Sequence, residues 1–213
     1  VLRDKVLSIV RDWILSGRIK PGERLIESSI AQQLQVSRAP LREALWQLTH
    51  QGLVVIEPHK GAYVTKLTEQ DIREIFELRV VLETHAAKSA RKHMTSITEA
   101  QLERATAELG AAASLGGMAA FTMADVKFHQ TIAELSQNKH FVEVLNDVST
   151  RFFGYELIQD MPKAELFRFD EMAKIHRCMK ELVVSGTESQ IEKGFRAAYA
   201  EFLKYVLQRF DHE

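Results

Sequence analysis

Three pairs of residues stand out by type and spacing. Asp125 and His129 lie four apart within Asp125-Val126-Lys127-Phe128-His129. On a helix this spacing sends both side chains out of one face. A carboxylate and an imidazole placed so can chelate a divalent cation, or can simply hydrogen-bond each other inside a helical bundle. Arg38 and Arg42 are also four apart, so they project together. A guanidinium fork can bind guanine O6 and N7 bidentately or clamp a phosphate; the plain alternative is a pair of solvated charges. Arg79 lies amid Phe76, Val80 and Leu82. A buried arginine needs an anion, and either Glu83, one turn on, or a bound ligand can supply it.

The elements that carry these residues read as two different halves. Val6, Ile9, Val10, Trp13 and Ile14 have helical spacing over Lys5 to Ser16. Gly17 ends that helix, and Lys20-Pro21-Gly22-Glu23 is a turn. A short helix over Ser28–Leu34 precedes the break Gln35-Val36-Ser37. A third helix runs from about Arg38 to Gln51, with Ser37 suited to cap it and Pro40 in its first turn. Its core side is Leu41, Ala44, Leu45 and Leu48. Leu53–Ile56 and Ala62–Thr65 read as strands joined by the turn Pro58-His59-Lys60-Gly61. Three helices and a hairpin in this order predict a winged helix-turn-helix over residues 1–67. Its helix three would enter the major groove. The wing tip, His59, Lys60 and Gly61, brings a polar ring, a cation and a residue that lets the backbone approach DNA.

Thr68 with Asp71 is a helix start, and from there the pattern is helical throughout. The first long helix spans about Glu69–His93, striped by Ile72, Ile75, Phe76, Val80 and Leu82. Thr98 with Gln101 and Thr187 with Gln190 have capping-box spacing. Gly116-Gly117 and Gln137-Asn138 separate helices around Met118–Leu135 and Lys139–Ile158. Two more follow near Ala164–Val184 and Glu188–Phe210. Only one proline, Pro162, lies in this half, against Pro21, Pro40 and Pro58 in the first. The fold class is therefore mainly α: the winged domain, then an all-α antiparallel bundle of six or seven helices over 68–213.

Bulk properties agree. The net charge of -1 divides into a basic surplus of 4 in residues 1–67 and an acidic surplus of 5 beyond them, so only the first half suits a polyanion. No apolar run approaches the ~20 residues that span a bilayer. Cys178 is the sole cysteine, which excludes an internal disulfide and a Cys-based zinc site. With no signal-peptide pattern at the start, a cytoplasmic location is expected.

Longer motifs point to a family. Ile19-Lys20-Pro21-Gly22-Glu23-Arg24-Leu25, Leu34 through Leu45, Gln51-Gly52-Leu53-Val54 and Gly61-Ala62-Tyr63-Val64 together resemble the GntR family of bacterial regulators. The resemblance implies operator contacts from Ser37, Arg38, Pro40, Arg42 and the wing residues His59, Lys60 and Gly61. Ser28 stands where some fatty-acid-responsive relatives carry a DNA-touching arginine, so none is assigned there. Ile75-Phe76-Glu77-Leu78-Arg79 with Leu82-Glu83, Asp125 through His129, Ile132, Asn138, Ile175-His176-Arg177 and Val184-Ser185-Gly186 resemble the FCD ligand domain of the FadR-type branch. That resemblance implies a central cavity where Arg79 meets an effector carboxylate. It also implies a metal held by one Asp and three His, of which Asp125, His129 and His176 match three. The fourth position falls on Ala198; Tyr199 and Phe202 are poor substitutes, and His212 lies too far along. Three ligands with open positions suit zinc, manganese or nickel; a metal-free cavity, with both histidines bonded to the effector, is the alternative. His50, His85, His93 and His140 read as surface or local structural residues.

The reading that follows is a homodimeric regulator bound to a pseudo-palindromic double-stranded operator and released by a small organic acid, with no membrane partner. Two alternatives compete with it. A metal-dependent hydrolase on the bundle leaves residues 1–67 without a role and has no HExxH or nucleophile motif. A ligand-blind DNA binder leaves the polar cluster in the bundle unexplained.

Overall fold

A computed structural model describes residues 2–158 and 168–207. They fall into two compact units: 2–67 together with 150–158, and 68–149 together with 168–207.

The first unit opens with α1 (Leu2–Leu15), then β1 (Arg24–Leu25), α2 (Glu27–Leu34), α3 (Arg38–His50), β2 (Val54–Glu57) and β3 (Gly61–Val64). Val6, Val10 and Ile14 of α1 and Leu41, Ala44, Leu45 and Leu48 of α3 form one buried cluster with Leu53, Val54 and Val64. Each buried aliphatic side chain of this kind contributes roughly 1.5–3 kcal/mol. The tight α2–α3 turn needs a left-handed residue, and Gln35 supplies it at φ 54°. The Val36 N–H then donates to the Ala31 carbonyl at 3.0 Å, closing α2 in a Schellman arrangement.

The hairpin is joined by a strand the sequence pattern does not predict. β1 pairs antiparallel with β3, so the sheet order is β1-β3-β2. Two residues are too few to show an alternation. Ser37 also differs from expectation. It is the N-cap of α3, but its hydroxyl makes no capping bond, so the first N–H groups of that helix are left uncapped by it.

The second unit contains α4 (Glu69–Lys92), α5 (Ser96–Leu115), α6 (Met118–Leu135), the start of α7 (Lys139–Ile158), α8 (Phe169–Ser185) and α9 (Glu188–Leu207). The expected helix start at Ala164, Pro162 and His212 lie outside the described residues. Thr68 and Asp71 form the predicted capping box, and Thr187 and Gln190 exchange the predicted reciprocal bonds. The box at the head of α5 sits three residues earlier than Thr98 with Gln101. Thr95 is the N-cap and Thr98 its partner, because a threonine at the third helical position can answer as a glutamine would. α4 packs against α6, α8 and α9, while α5 packs against α6 and α8. Among the described residues no helix is long and apolar enough to cross a membrane.

α7 contributes residues to both units. Its Gly154 lies so near the turn after α3 that a Cβ there would fall 2.4 Å from the Gly52 carbonyl carbon and oxygen. Only a glycine permits that approach.

Candidate DNA-reading face and ligand site

On α3, Arg38 and Arg42 are both exposed, as the four-residue spacing requires. Arg42 is held by α2: its Nε donates to Glu27 Oε2 at 2.7 Å. Trp46 continues the same stripe, 61% exposed, with its ring edge-on to His50 at 4.2 Å. At the wing, His59 takes φ 62° and Gly61 φ 114°, and Lys60 pairs with Glu57 at 2.9 Å. Arg24 of β1 reaches this tip, its guanidinium 3.5 Å from where a Gly61 Cβ would stand. Pattern reading passed over Arg24, Glu27 and Trp46. Arg24 becomes visible only once β1 is known to pair with β3.

The ligand site lies within the second unit. Two of its residues sit on the inward stripe of α4, which runs Ile72, Phe76, Arg79, Glu83, Ala86, so the center of an apolar stripe carries an ion pair. Arg79 Nε donates to Glu83 Oε1 at 3.0 Å, with both side chains nearly without exposure. Val80 and Leu82, expected in that stripe, are half-buried beside it. The Arg79 guanidinium also lies 5.3 Å from the Tyr199 ring center.

Asp125 and His129 leave α6 together as expected, and α8 brings His176 to them. His176 Nε2 lies 2.6 Å from Asp125 Oδ1, and His129 Nε2 lies 3.6 Å from the same oxygen. The other imidazole nitrogens are committed elsewhere. His176 Nδ1 donates to the Met172 carbonyl at 2.7 Å, and His129 Nδ1 forms an ion pair with Glu83 Oε2. Anchoring Nδ1 in this way fixes the ring and leaves Nε2 to face a metal. Asp125 Oδ1 with His176 Nε2, and His129 Nδ1 with Glu83 Oε2, though close, are buried polar atoms without well-aligned hydrogen bonds.

The electrostatics follow from burial against charge. Burial alone would raise the Glu83 carboxyl, but His129 and Arg79 outweigh it and hold it at about 2. Burial would lower His129, yet Glu83 and Asp125 push it up to about 9. Asp125 is likewise held well below the usual carboxylate range by both histidines, against its burial. Burial raises the Tyr199 phenol above its ordinary value.

These residues fit a cation. The three ligand atoms all lie within 4.8 Å of one another. Ligands about 2.1 Å from one tetrahedral ion stand about 3.4 Å apart, and the two separations from Asp125 Oδ1 bracket that value. A divalent ion there would supply positive charge and open coordination positions for a ligand oxygen. Beside the site is a small cavity of about 20 Å³. His129, His176, Ala198, Tyr199 and Phe202 are among the residues that line it. Ala198 therefore faces the site, but offers only a methyl group. Glu83 is the member that sequence reading weighed only as a partner for Arg79; its link to His129 depends on α4 and α6 being neighbors.

A basic helix-turn-helix unit followed by a helical unit with a buried charged cluster beside a small cavity is the architecture of a two-part DNA-binding regulator. Residues 2–64 match the family described as bacterial regulatory proteins, gntR family, and residues 74–199 match the FCD domain. The chain belongs to the GntR family of transcriptional regulators and carries the FCD domain of its FadR-like branch. It is 31% identical over 144 residues to the HTH-type transcriptional regulator YdhC of Bacillus subtilis, covering 66% of this chain and 63% of that protein. It is 29% identical over 144 residues to the gluconate operon transcriptional repressor of Bacillus licheniformis, covering 68% and 59%. The chain thus spans about three fifths of the length of these relatives. Its fold is similar to that of Escherichia coli McbR/YncC, at 22% identity, with a TM-score of 0.71 over 99% of each chain.

Proposed function

We propose that the chain acts as a homodimeric repressor in the cytoplasm, released from a pseudo-palindromic operator when the α6–α8–α9 cavity takes up a divalent cation and a small carboxylate. The observation that carries this reading is the convergence of Asp125, His129 and His176 around buried polar atoms that lack aligned hydrogen bonds. Such a cluster is costly unless a ligand uses it.

Arg38, Arg42 and the wing residues His59, Lys60 and Gly61 contact the operator in this reading. Ser37 and Pro40 sit at the open N-terminus of α3, where uncapped N–H groups suit a phosphate. A two-fold dimer presents two such helices to two half-sites. Arg79 acts by holding Glu83, which holds His129. A repressing role is supported by relatives that are named as repressors. Ligand binding lowers operator affinity only to the extent that it prefers the released arrangement.

The test is elemental analysis after loading with zinc, manganese or nickel and desalting, beside a His129→Ala control. We expect near one metal per chain, lost in the control. No metal above the control removes the cation from the reading and leaves Asp125, His129 and His176 as a metal-free, hydrogen-bonding site.

A further inference from the structure

We infer, resting on the proposal that α3 reads the operator, that Trp46 clamps the DNA backbone. Its indole packs on a deoxyribose at the rim of the major groove, and its Nε1–H donates to a phosphate oxygen.

The placement of the ring comes first. Every other apolar residue of α3 from Leu41 onward is buried, as Leu41, Ala44, Leu45 and Leu48 show. Trp46 is 61% exposed. It stands four residues beyond Arg42 and eight beyond Arg38, on the stripe of the two guanidiniums rather than on the core side. The ring is also braced. His50, one turn on, meets it edge-on at 4.2 Å and an interplanar angle of 78°. An aromatic pair of this geometry favors one attitude of the indole, so less freedom is lost when a partner covers it.

Reach decides which part of the DNA the ring meets. An α-helix rises 1.5 Å per residue, so Trp46 lies about 6 Å beyond Arg42 and about 12 Å beyond Arg38 along the axis. The major groove is about 12 Å wide, and the N-terminal residues of a recognition helix take the base edges. A side chain that much farther along arrives at the groove wall, which is deoxyribose and phosphate. An indole suits that wall. Its faces are apolar, like the C–H surface of the sugar, and its single polar atom is a donor, whereas phosphate oxygens only accept. Such a contact carries no base information; it fixes the register in which the arginines select sequence. Being neutral, it releases no counterions.

The test titrates the full chain with a duplex that the unaltered protein has selected from random-sequence DNA, at several salt concentrations and with single base changes in the duplex. Trp46→Ala is expected to weaken binding about tenfold, equally on every duplex and with the salt dependence unchanged. Trp46→Arg replaces the neutral donor with a charged one, and should recover affinity while steepening the salt slope by about one. Added duplex should alter the tryptophan emission of the unaltered chain but not that of Trp46→Phe, which keeps only Trp13. Unchanged affinity in Trp46→Ala, beside an Arg42→Ala control that binds more weakly, overturns the inference and leaves α3 as the reading face. If neither variant weakens binding, both fall. A loss confined to one base pair makes Trp46 a base reader, and altered sedimentation of the DNA-free Trp46→Ala chain assigns the indole to a protein contact; each overturns the inference.

Discussion

The two functional regions handle charge in opposite ways. On the reading face, the Arg42–Glu27 pair is 64% and 33% exposed, so water screens it and each partner can be given up at little expense. In the bundle, the Arg79–Glu83 pair is 1% and 2% exposed, and neither partner can leave alone. Exposed pairs of the first kind typically contribute between nothing and about 1 kcal/mol. Breaking a pair of the second kind costs about 3–5 kcal/mol. A surface meant to exchange water for phosphate needs charges that come free readily. An interior meant to receive a ligand needs groups already held in place.

The sharpest way to break this contrast is Glu83→Ala. It strips Arg79 and His129 of one shared carboxylate and should destabilize the chain by about 3–5 kcal/mol in urea unfolding. A loss under 1 kcal/mol would mean that the bundle interior is as forgiving as the surface. Gly154→Ala comes next. Its Cβ meets the Gly52 backbone at 2.4 Å, and overpacking of this kind costs about 1–3 kcal/mol; unchanged stability would show that the close approach is dispensable.

Arg42→Ala should weaken operator binding by about 1–3 kcal/mol while changing unfolding by less than about 1 kcal/mol. An unchanged operator titration would remove Arg42 from the reading face. A large stability loss would instead place the Arg42–Glu27 pair with the buried one. Thr68→Ala, which removes a capping box at the head of α4, should cost about 1 kcal/mol, read as a small drop in melting temperature. It marks the size of an ordinary exposed polar contribution against which the other three are judged.

Much of this was legible in residue order. The helical spacing of Val6, Val10 and Ile14, the glycine stops and the strand–turn–strand around Pro58 to Gly61 are local signals, and the elements they predict are present to within a few residues. The i,i+4 placement of Asp125 with His129, and of Arg38 with Arg42, is a property of one helix and needs no partner. Other features had no local signal. β1 is two residues long and exists because β3 lies beside it. Ser37 has the right side chain for a cap, yet whether the hydroxyl turns inward depends on its surroundings. The start of α5 slipped by three residues because Thr95 and Thr98 compete for the same role.

Sequence by itself determined the helices and the hairpin, the basic and acidic halves, and the kinds of side chain available for reading DNA and holding a cation. Helix period and turn chemistry act over a few residues, so they survive being read in isolation. Only the tertiary structure decided that Glu83 on α4 reaches His129 on α6 and that His176 on α8 meets Asp125 on α6. It alone placed Ala198 at the cavity wall. Those relations join residues on α4, α6, α8 and α9, and they arise from which apolar faces pack together, a choice no single stretch of chain contains.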